Sequence, residues 1–166
     1  MIIGIGNDIR GDDAAGLLAA RLLKARLRSD PTTALSGSIE VLESSGEMTS
    51  LIEAWQGCDE VILIDCSVSG APRGAIQKID LLAPNSREIL MSASLGLSSH
   101  SLDLSGALDL ARLLNKLPTR LTQYTVESGD QENSFEVGAT ASDEVVRAVN
   151  QVVCRVIEDL QASPTS

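Results

Sequence analysis

Short runs of consecutive apolar residues recur along the chain and predict buried β-strands. Residues 61–64 form the clearest run, and residues 2–5 open the chain with another. A continuous run of branched aliphatic residues is typical of a strand in a sheet whose two faces are both covered. Further strands are predicted at 39–42, 75–81, 88–91 and, from alternating apolar and polar residues, 120–127.

The segments between these strands have the composition and spacing of helices. Residues from Asp12 to about Arg28 are rich in Ala and Leu, which are strong helix formers. Further helices are predicted at about 48–56, across 104–111 and from 142–144 onward. Strands that alternate with helices favour one α/β domain over residues 1–160, with a mostly parallel sheet covered by helices on both faces. The small polar tail, residues 161–166, is predicted to fray.

The charge of the chain excludes some classes of partner. Its formal net charge is -10, and it lacks the basic stripe that a phosphate backbone or an anionic membrane surface requires. We therefore expect no nucleic acid and no membrane partner, and instead a protein, a cation or a small molecule. Three cysteines without a CxxC pair indicate reduced thiols. With no apolar stretch of ~18 residues and no signal peptide, a cytoplasmic location is predicted.

A glycine-rich turn follows the first predicted strand. Gly4 and Gly6 begin like a dinucleotide fingerprint, but Ile9 occupies the position of the third glycine. A pyrophosphate also needs positive potential at the start of the helix, whereas Asp12 and Asp13 bring negative charge to it. Phosphate binding is therefore disfavoured.

Three residues with acid–base or metal-binding chemistry follow different strands. Asp13 follows the first strand, Asp65 ends the strand at 61–64, and His100 precedes a helix. Ligands of open α/β sheets bind beyond the carboxyl ends of the strands, where this topology brings the three together. Two carboxylates and an imidazole form a plausible open set of ligands for a divalent ion.

Each of these residues also has a structural interpretation. Asp12 is predicted to cap the first helix, whereas a second adjacent carboxylate at Asp13 is less easily explained, because adjacent anions repel. Asp65 could satisfy loop amides, and a lone histidine is more often structural than functional. His100, however, is the only histidine and lies among serines.

In an ordered set of motifs the sequence resembles the hydrogenase maturation proteases. The matching segments are 4–7 with 12–16, 61–65 with 72–74, 99–100, and, more weakly, 137–138 with 142–145. Together they extend over nearly the whole chain. The sequence departs from the family pattern at Ala14, where glycine is common, at Cys66, where alanine is common, and at Asp13, where some members have Glu.

The resemblance implies a fold, an activity and a set of site residues. The implied fold is a three-layer α/β sandwich with a central, mostly parallel sheet of about five strands. The implied activity is endopeptidase removal of the C-terminal extension of a nickel-iron hydrogenase large-subunit precursor after nickel insertion. Asp13, Asp65 and His100 would be the catalytic and metal-contacting residues. The metal would be nickel supplied by the precursor, and no organic cofactor is expected.

Two mechanisms and one rival function stay open at this point. The three residues could dock the nickel of the precursor, so that the metal or a carboxylate-activated water hydrolyses the aligned bond. Asp13 and Asp65 could instead act as an acid–base pair that shares a proton. A cysteine nucleophile is disfavoured, because Asp65 lies beside Cys66 and opposes its thiolate. The rival is a non-catalytic nickel-binding or hydrogenase-docking module.

Overall fold

A five-stranded β-sheet forms the centre of the molecule. The computed structural model describes residues 1–29, 39–93, 99–129 and 137–162, without the side chains of 87, 91–93 and 99–103. The strands are β1 (Ile2–Ile5), β2 (Val41–Ser44), β3 (Glu60–Ser67), β4 (Ile76–Asp80) and β5 (Arg120–Glu127). Their order is β2-β1-β3-β5-β4, and only β4 is antiparallel to its neighbour. The predicted mostly parallel sheet of about five strands is confirmed.

Helices cover both faces of this sheet. The helices are α1 (Ala15–Ser29), α2 (Met48–Trp55), α3 (Ser86–Ala93), α4 (Ser99–Leu113) and α5 (Asp143–Ala162), and a 3-10 turn (Gly11–Ala14) precedes α1. Side chains of α1 and α5 pack on one face of the sheet, and side chains of α2, α3 and α4 pack on the other. The molecule is therefore the three-layer α/β sandwich that was predicted.

The apolar pattern of β3 explains its place in the middle of the sheet. Ile62 and Ile64 belong to the core under α1 and α5, whereas Val61 and Leu63 belong to the core under α2 and α4. Successive side chains of a strand point to opposite faces, so a strand between two layers must be apolar at every position. Asp65 lies on the same face as Leu63, because the strand continues to Ser67.

The glycines after the first strand serve close packing. A Cβ atom at Gly4 would overlap the carbonyl oxygen of Gly16 and the side chain of Ala20. A Cβ atom at Gly16 would overlap the carbonyl oxygens of Ile5 and Ile64. These glycines therefore let the start of α1 rest directly on β1 and β3.

Two parts of the sequence interpretation need correction or completion. The strand predicted at 88–91 is wrong, since these residues lie in helix α3. Three consecutive apolar residues, Ile89 to Met91, imitate a strand, but a helix can also bury two adjacent apolar residues on one side. Helix α5 extends to Ala162, and residues 163–166 lie outside the described part of the chain.

None of the described helices combines the length and the apolar composition that a membrane span requires.

Candidate functional site at the carboxyl edge of the sheet

Asp65 lies near the carboxyl end of the central strand β3. Its side chain is almost fully buried, with 4% of the residue exposed, and its Oδ1 accepts a hydrogen bond from the backbone N–H of Cys66 at 2.8 Å. In the neighbouring strand β5 the residue opposite Asp65 is Thr125. Asp65 thus stands where the apolar layer under α4 gives way to polar side chains.

Asp13 reaches the same region from the 3-10 turn that follows β1. The residue is buried, and its carbonyl oxygen accepts a hydrogen bond from the N–H of Asn7 at 3.2 Å. Gly6 makes this tight turn possible, because a Cβ atom there would overlap that carbonyl oxygen. The turn packs against β3, which brings Asp13 towards the strand that carries Asp65.

The thiol of Cys66 reports the charge of this region. Burial raises the pKa of Cys66 well above its usual value, and the negative charges of Asp65, Asp13 and Asp12 raise it further. A hydrogen bond with Ser128 acts in the opposite direction without reversing the shift. The three carboxylates therefore lie within electrostatic reach of one buried thiol, which stays protonated and is a poor nucleophile.

Asp12 has a different partner from the one predicted. The prediction that Asp12 caps the first helix is wrong, because its Oδ1 accepts the N–H of Ser142 at 2.6 Å. The N-cap residue of the 3-10 turn before α1 is Arg10, whose side chain makes no capping hydrogen bond. Ser142 immediately precedes helix α5. Oδ2 of Asp12 lies 3.8 Å from Nε of Arg73. Asp12 therefore ties the first turn of the chain to the start of its last helix.

The backbone of His100 lies in the first turn of α4, and its side chain is outside the described residues. Helix α4 leads into β5, so it begins at the carboxyl edge of the parallel strands, on the face of the sheet that Asp65 shares. A Cβ atom at Gly106 would meet the side chain of Met48 at the start of α2. Six positions separate residue 100 from Gly106. His100 therefore lies about 9 Å along the axis of α4 from the point where this helix meets α2.

The ligand set of Asp13, Asp65 and His100 stays a prediction. Among the described side chains, which do not include that of His100, no three His, Cys, Asp or Glu residues form a group that could hold a metal ion.

A buried carboxylate that the sequence interpretation missed ends strand β5. Glu127 is 1% exposed and pairs with Ser67 in the sheet register. Its carboxylate accepts hydrogen bonds from the hydroxyls of Ser67 and Ser69 at 3.1 and 2.8 Å. It also accepts the N–H groups of Ser69 and Gly70 at 2.9 and 3.3 Å. Glu127 thereby holds the loop that follows Asp65.

A cavity of about 390 Å³ opens beside this carboxylate. Its lining combines polar and apolar side chains from β3, β4, β5 and the loop after β3: Ser67, Ser69, Ala71, Ala75, Ile76, Gln77, Thr125 and Glu127. The volume is near the lower end of the ~300–1,000 Å³ typical of ligand sites. The carboxyl edge of the sheet therefore combines buried carboxylates with an adjoining cavity.

A family model described as HycI, hydrogenase maturation protease, matches residues 19–159. The chain belongs to the hydrogenase maturation protease family. The matched residues include Asp65 and His100 but not Asp13, which lies before the first of them. No curated protein matches the sequence significantly.

Solved structures with the same fold include further maturation proteases. The hydrogenase maturating endopeptidase HybD from E. coli is 19% identical, with a TM-score of 0.72 over 97% of this chain and 91% of that one. The [NiFe] hydrogenase maturation protease HybD from Thermococcus kodakarensis is 20% identical, with a TM-score of 0.66 over 96% of each chain. The hydrogenase 2 maturation peptidase from a Thaumarchaeota archaeon is 24% identical, with a TM-score of 0.64 over 96% and 95%. At these low identities, the similarity to each solved structure shows only that the fold is shared.

Proposed function

We propose that this maturation protease removes the C-terminal extension of a nickel-iron hydrogenase large-subunit precursor after nickel has been inserted. The proposal is supported by two buried carboxylates on contacting elements at the carboxyl edge of the sheet, Asp13 in the turn after β1 and Asp65 near the end of β3, in a chain of this family. The start of helix α4, with His100 in its first turn, supports the same location.

The carboxylates at the carboxyl edge of the sheet favour the binding of a cation. Asp12, Asp13 and Asp65 are all buried, and buried carboxylates near one another repel unless positive charge stands among them. Arg73 stands 3.8 Å from Asp12, and the nickel of a loaded precursor would add further positive charge at this edge. Carboxylate oxygens and a neutral imidazole nitrogen are suitable ligands for such an ion.

The proposed chemistry is hydrolysis of one peptide bond. Asp13, Asp65 and His100 contact the precursor's nickel, which fixes the nearby peptide bond at the edge of the sheet. A carboxylate accepts a proton from water, the water oxygen bonds to the carbonyl carbon, and the C–N bond breaks as the leaving nitrogen takes up a proton. The products are a new C-terminal carboxylate and a released peptide with a free amine. The protonated thiol of Cys66 has no part in this step.

Incubation of the purified protein with nickel-loaded precursor tests the proposal. We expect mass spectrometry to detect the released C-terminal peptide, and expect Asp65→Asn to abolish its release. Glu53→Gln is the matched control, because it removes an exposed carboxylate from α2 and should leave cleavage unchanged. Binding of the loaded precursor without any released peptide would instead identify a non-catalytic docking module.

A further inference from the structure

The chemistry proposed above leaves the carboxylate of Glu127 unused. This group is buried and lines the cavity described above, whose wall also includes Ser67 and Thr125. The register of the sheet pairs Asp65 with Thr125 and Ser67 with Glu127. The cavity wall therefore begins at the residue paired with Asp65, and Glu127 lies about 7 Å further along the same face of the sheet.

The negative charge of Glu127 is not paired with any basic side chain that the structure describes. In the described part of the chain it forms no ion pair, and its hydrogen-bond donors are neutral hydroxyls and backbone amides. The segments 30–38, 94–98, 130–136 and 163–166, which the structure does not describe, contain no Lys or Arg. Arg87, in the first turn of α3, is the basic residue whose side chain lies outside the described part. Nearby Arg73 donates from Nε to the carbonyl oxygen of Ser128 at 2.7 Å.

The hydrogen bonds of Glu127 also determine what the cavity wall can offer. A serine hydroxyl has one proton to donate, and both Ser67 and Ser69 direct theirs to Glu127. Their oxygens can then only accept hydrogen bonds from a ligand. A group that enters the cavity is therefore stabilised if it brings N–H donors and positive charge, and a carboxylate is repelled.

We propose that this cavity is a subsite for the protonated side chain of a Lys or Arg in the substrate polypeptide. The proposal rests on the proposed endopeptidase function and names a specificity determinant for it. An ammonium or a guanidinium has donors without acceptors, which matches the wall. At about 3.4 Å per extended residue, the basic residue would lie about two residues from the bond held at Asp65.

Binding of a small probe tests the subsite without any cleavage. Nuclear magnetic resonance spectra of the ¹⁵N-labelled protein are recorded with N-acetyl-arginine amide and with N-acetyl-citrulline amide, its neutral analogue of similar shape. We expect the arginine probe to shift the amide signals of residues 67–71 and 125–127 in a saturable manner, and to bind at least tenfold more tightly than citrulline. Equal affinity for the two probes, or shifts confined to other acidic surfaces, would overturn the proposal.

Three variants separate the effect of charge from an effect on folding. Glu127→Gln removes the charge but also places an amide against the donors of the loop, so a loss of binding could reflect local unfolding. Gln77→Lys avoids this problem, because Gln77 is exposed, lines the cavity and is remote from the loop hydrogen bonds. The ammonium of the introduced lysine should occupy the cavity and weaken binding of the arginine probe at least tenfold. Gln77→Met should leave that binding unchanged. Unchanged probe binding in Gln77→Lys would contradict the subsite.

A cleavage experiment identifies the source of the basic group. Lys and Arg residues near the cleaved bond of the precursor are changed one at a time to Gln, and kcat/KM is measured with the wild-type protein. One change should lower kcat/KM at least tenfold, and the same change should have little further effect on Gln77→Lys. If the probe binds but no such change matters, the cavity does not take a precursor side chain. Absence of cleavage of the unaltered precursor would instead refute the proposed function and leave the probe result standing.

Discussion

Asp12 and Asp13 are neighbours in the chain with separate structural tasks. Because Oδ1 of Asp12 accepts the N–H of Ser142, Asp12→Ala should leave a donor at the start of α5 without its acceptor and lower the free energy of unfolding by about 1–3 kcal/mol. Denaturant titration measures this loss, and faster hydrogen exchange of amides 142–145 locates it.

Asp13→Asn should have the opposite profile. The amide keeps the shape of the side chain, so we expect a free energy of unfolding close to that of the wild type together with loss of precursor cleavage. If Asp12→Ala abolished cleavage at full stability while Asp13→Asn cleaved normally, the assigned roles would be reversed.

The location of Asp65 could be predicted from sequence, but the roles of Asp12 and Glu127 could not. Asp65 directly follows a branched apolar run, and the end of such a run in an α/β protein lies at the carboxyl edge of the sheet. The partner of Asp12 is 130 positions away, and the loop that Glu127 holds is 57 to 60 positions away. No local pattern encodes contacts of that range.

Among the elements, the contact between β1 and α1 should be especially sensitive to substitution. Gly4→Ala would force a methyl group against the backbone of Gly16, and overpacking of this kind costs about 1–3 kcal/mol or more. Gly106→Ala is the matched control, because its methyl group meets only the flexible end of Met48 and Ala favours a helix. Thermal or chemical unfolding of the two variants measures the difference, and equal stability would argue against the close approach.

Strands β4 and β5 are joined to α5 by groups that make stability depend on pH. Burial and a hydrogen bond to Asp159 raise the pKa of Tyr124 above its ordinary value. Burial alone would raise the pKa of Asp159, but Lys78 and the hydroxyl of Tyr124 outweigh it and lower that pKa. The tyrosine contribution is therefore present below pH ~10 and lost as pH rises further, and the aspartate contribution is lost as pH falls below ~4.

Substitution of Tyr124 or of Asp159 should each change how the free energy of unfolding depends on pH, at the alkaline end for Tyr124 and at the acidic end for Asp159. In urea titrations across pH, Tyr124→Phe should flatten the decline of unfolding free energy above pH ~10, and Asp159→Asn should flatten the decline below pH ~4. Each should also lower stability at neutral pH, by roughly 1–3 kcal/mol for a hydrogen bond with a charged partner. Profiles parallel to that of the wild type at both limits would contradict this assignment.

The element pattern was predictable wherever both faces of an element are buried or its period is clear. Strand β3 is apolar at every position between its two layers, and α5 repeats Val145, Val149 and Val152 along one side. Helix α3 was missed because three adjacent apolar residues, Ile89 to Met91, resemble a strand. Among the described side chains of α3, the adjacent Ile89 and Leu90 are the apolar ones that pack in the core. Such short elements depend on the layer they cover more than on their own sequence.

For the whole molecule, the central expectation is dependence on nickel in the substrate. If the ion aligns the peptide bond, the protease should cleave loaded precursor and ignore metal-free precursor, because binding energy from the ion positions the bond. Adding nickel to the protease alone should not restore cleavage, and His100→Ala should reduce it severely. Efficient cleavage of metal-free precursor by chelator-treated protein would favour the pair of carboxylates without metal.

The two-layer core has a consequence for spectroscopy. The chain has a single tryptophan and a single tyrosine, and Trp55 is buried in the layer of α2 and α4 while Tyr124 is buried in the layer of α1 and α5. Tryptophan emission and tyrosine absorbance therefore report on opposite sides of the sheet without any introduced label. Coincident unfolding curves from the two signals would show that both layers lose their order in one cooperative transition.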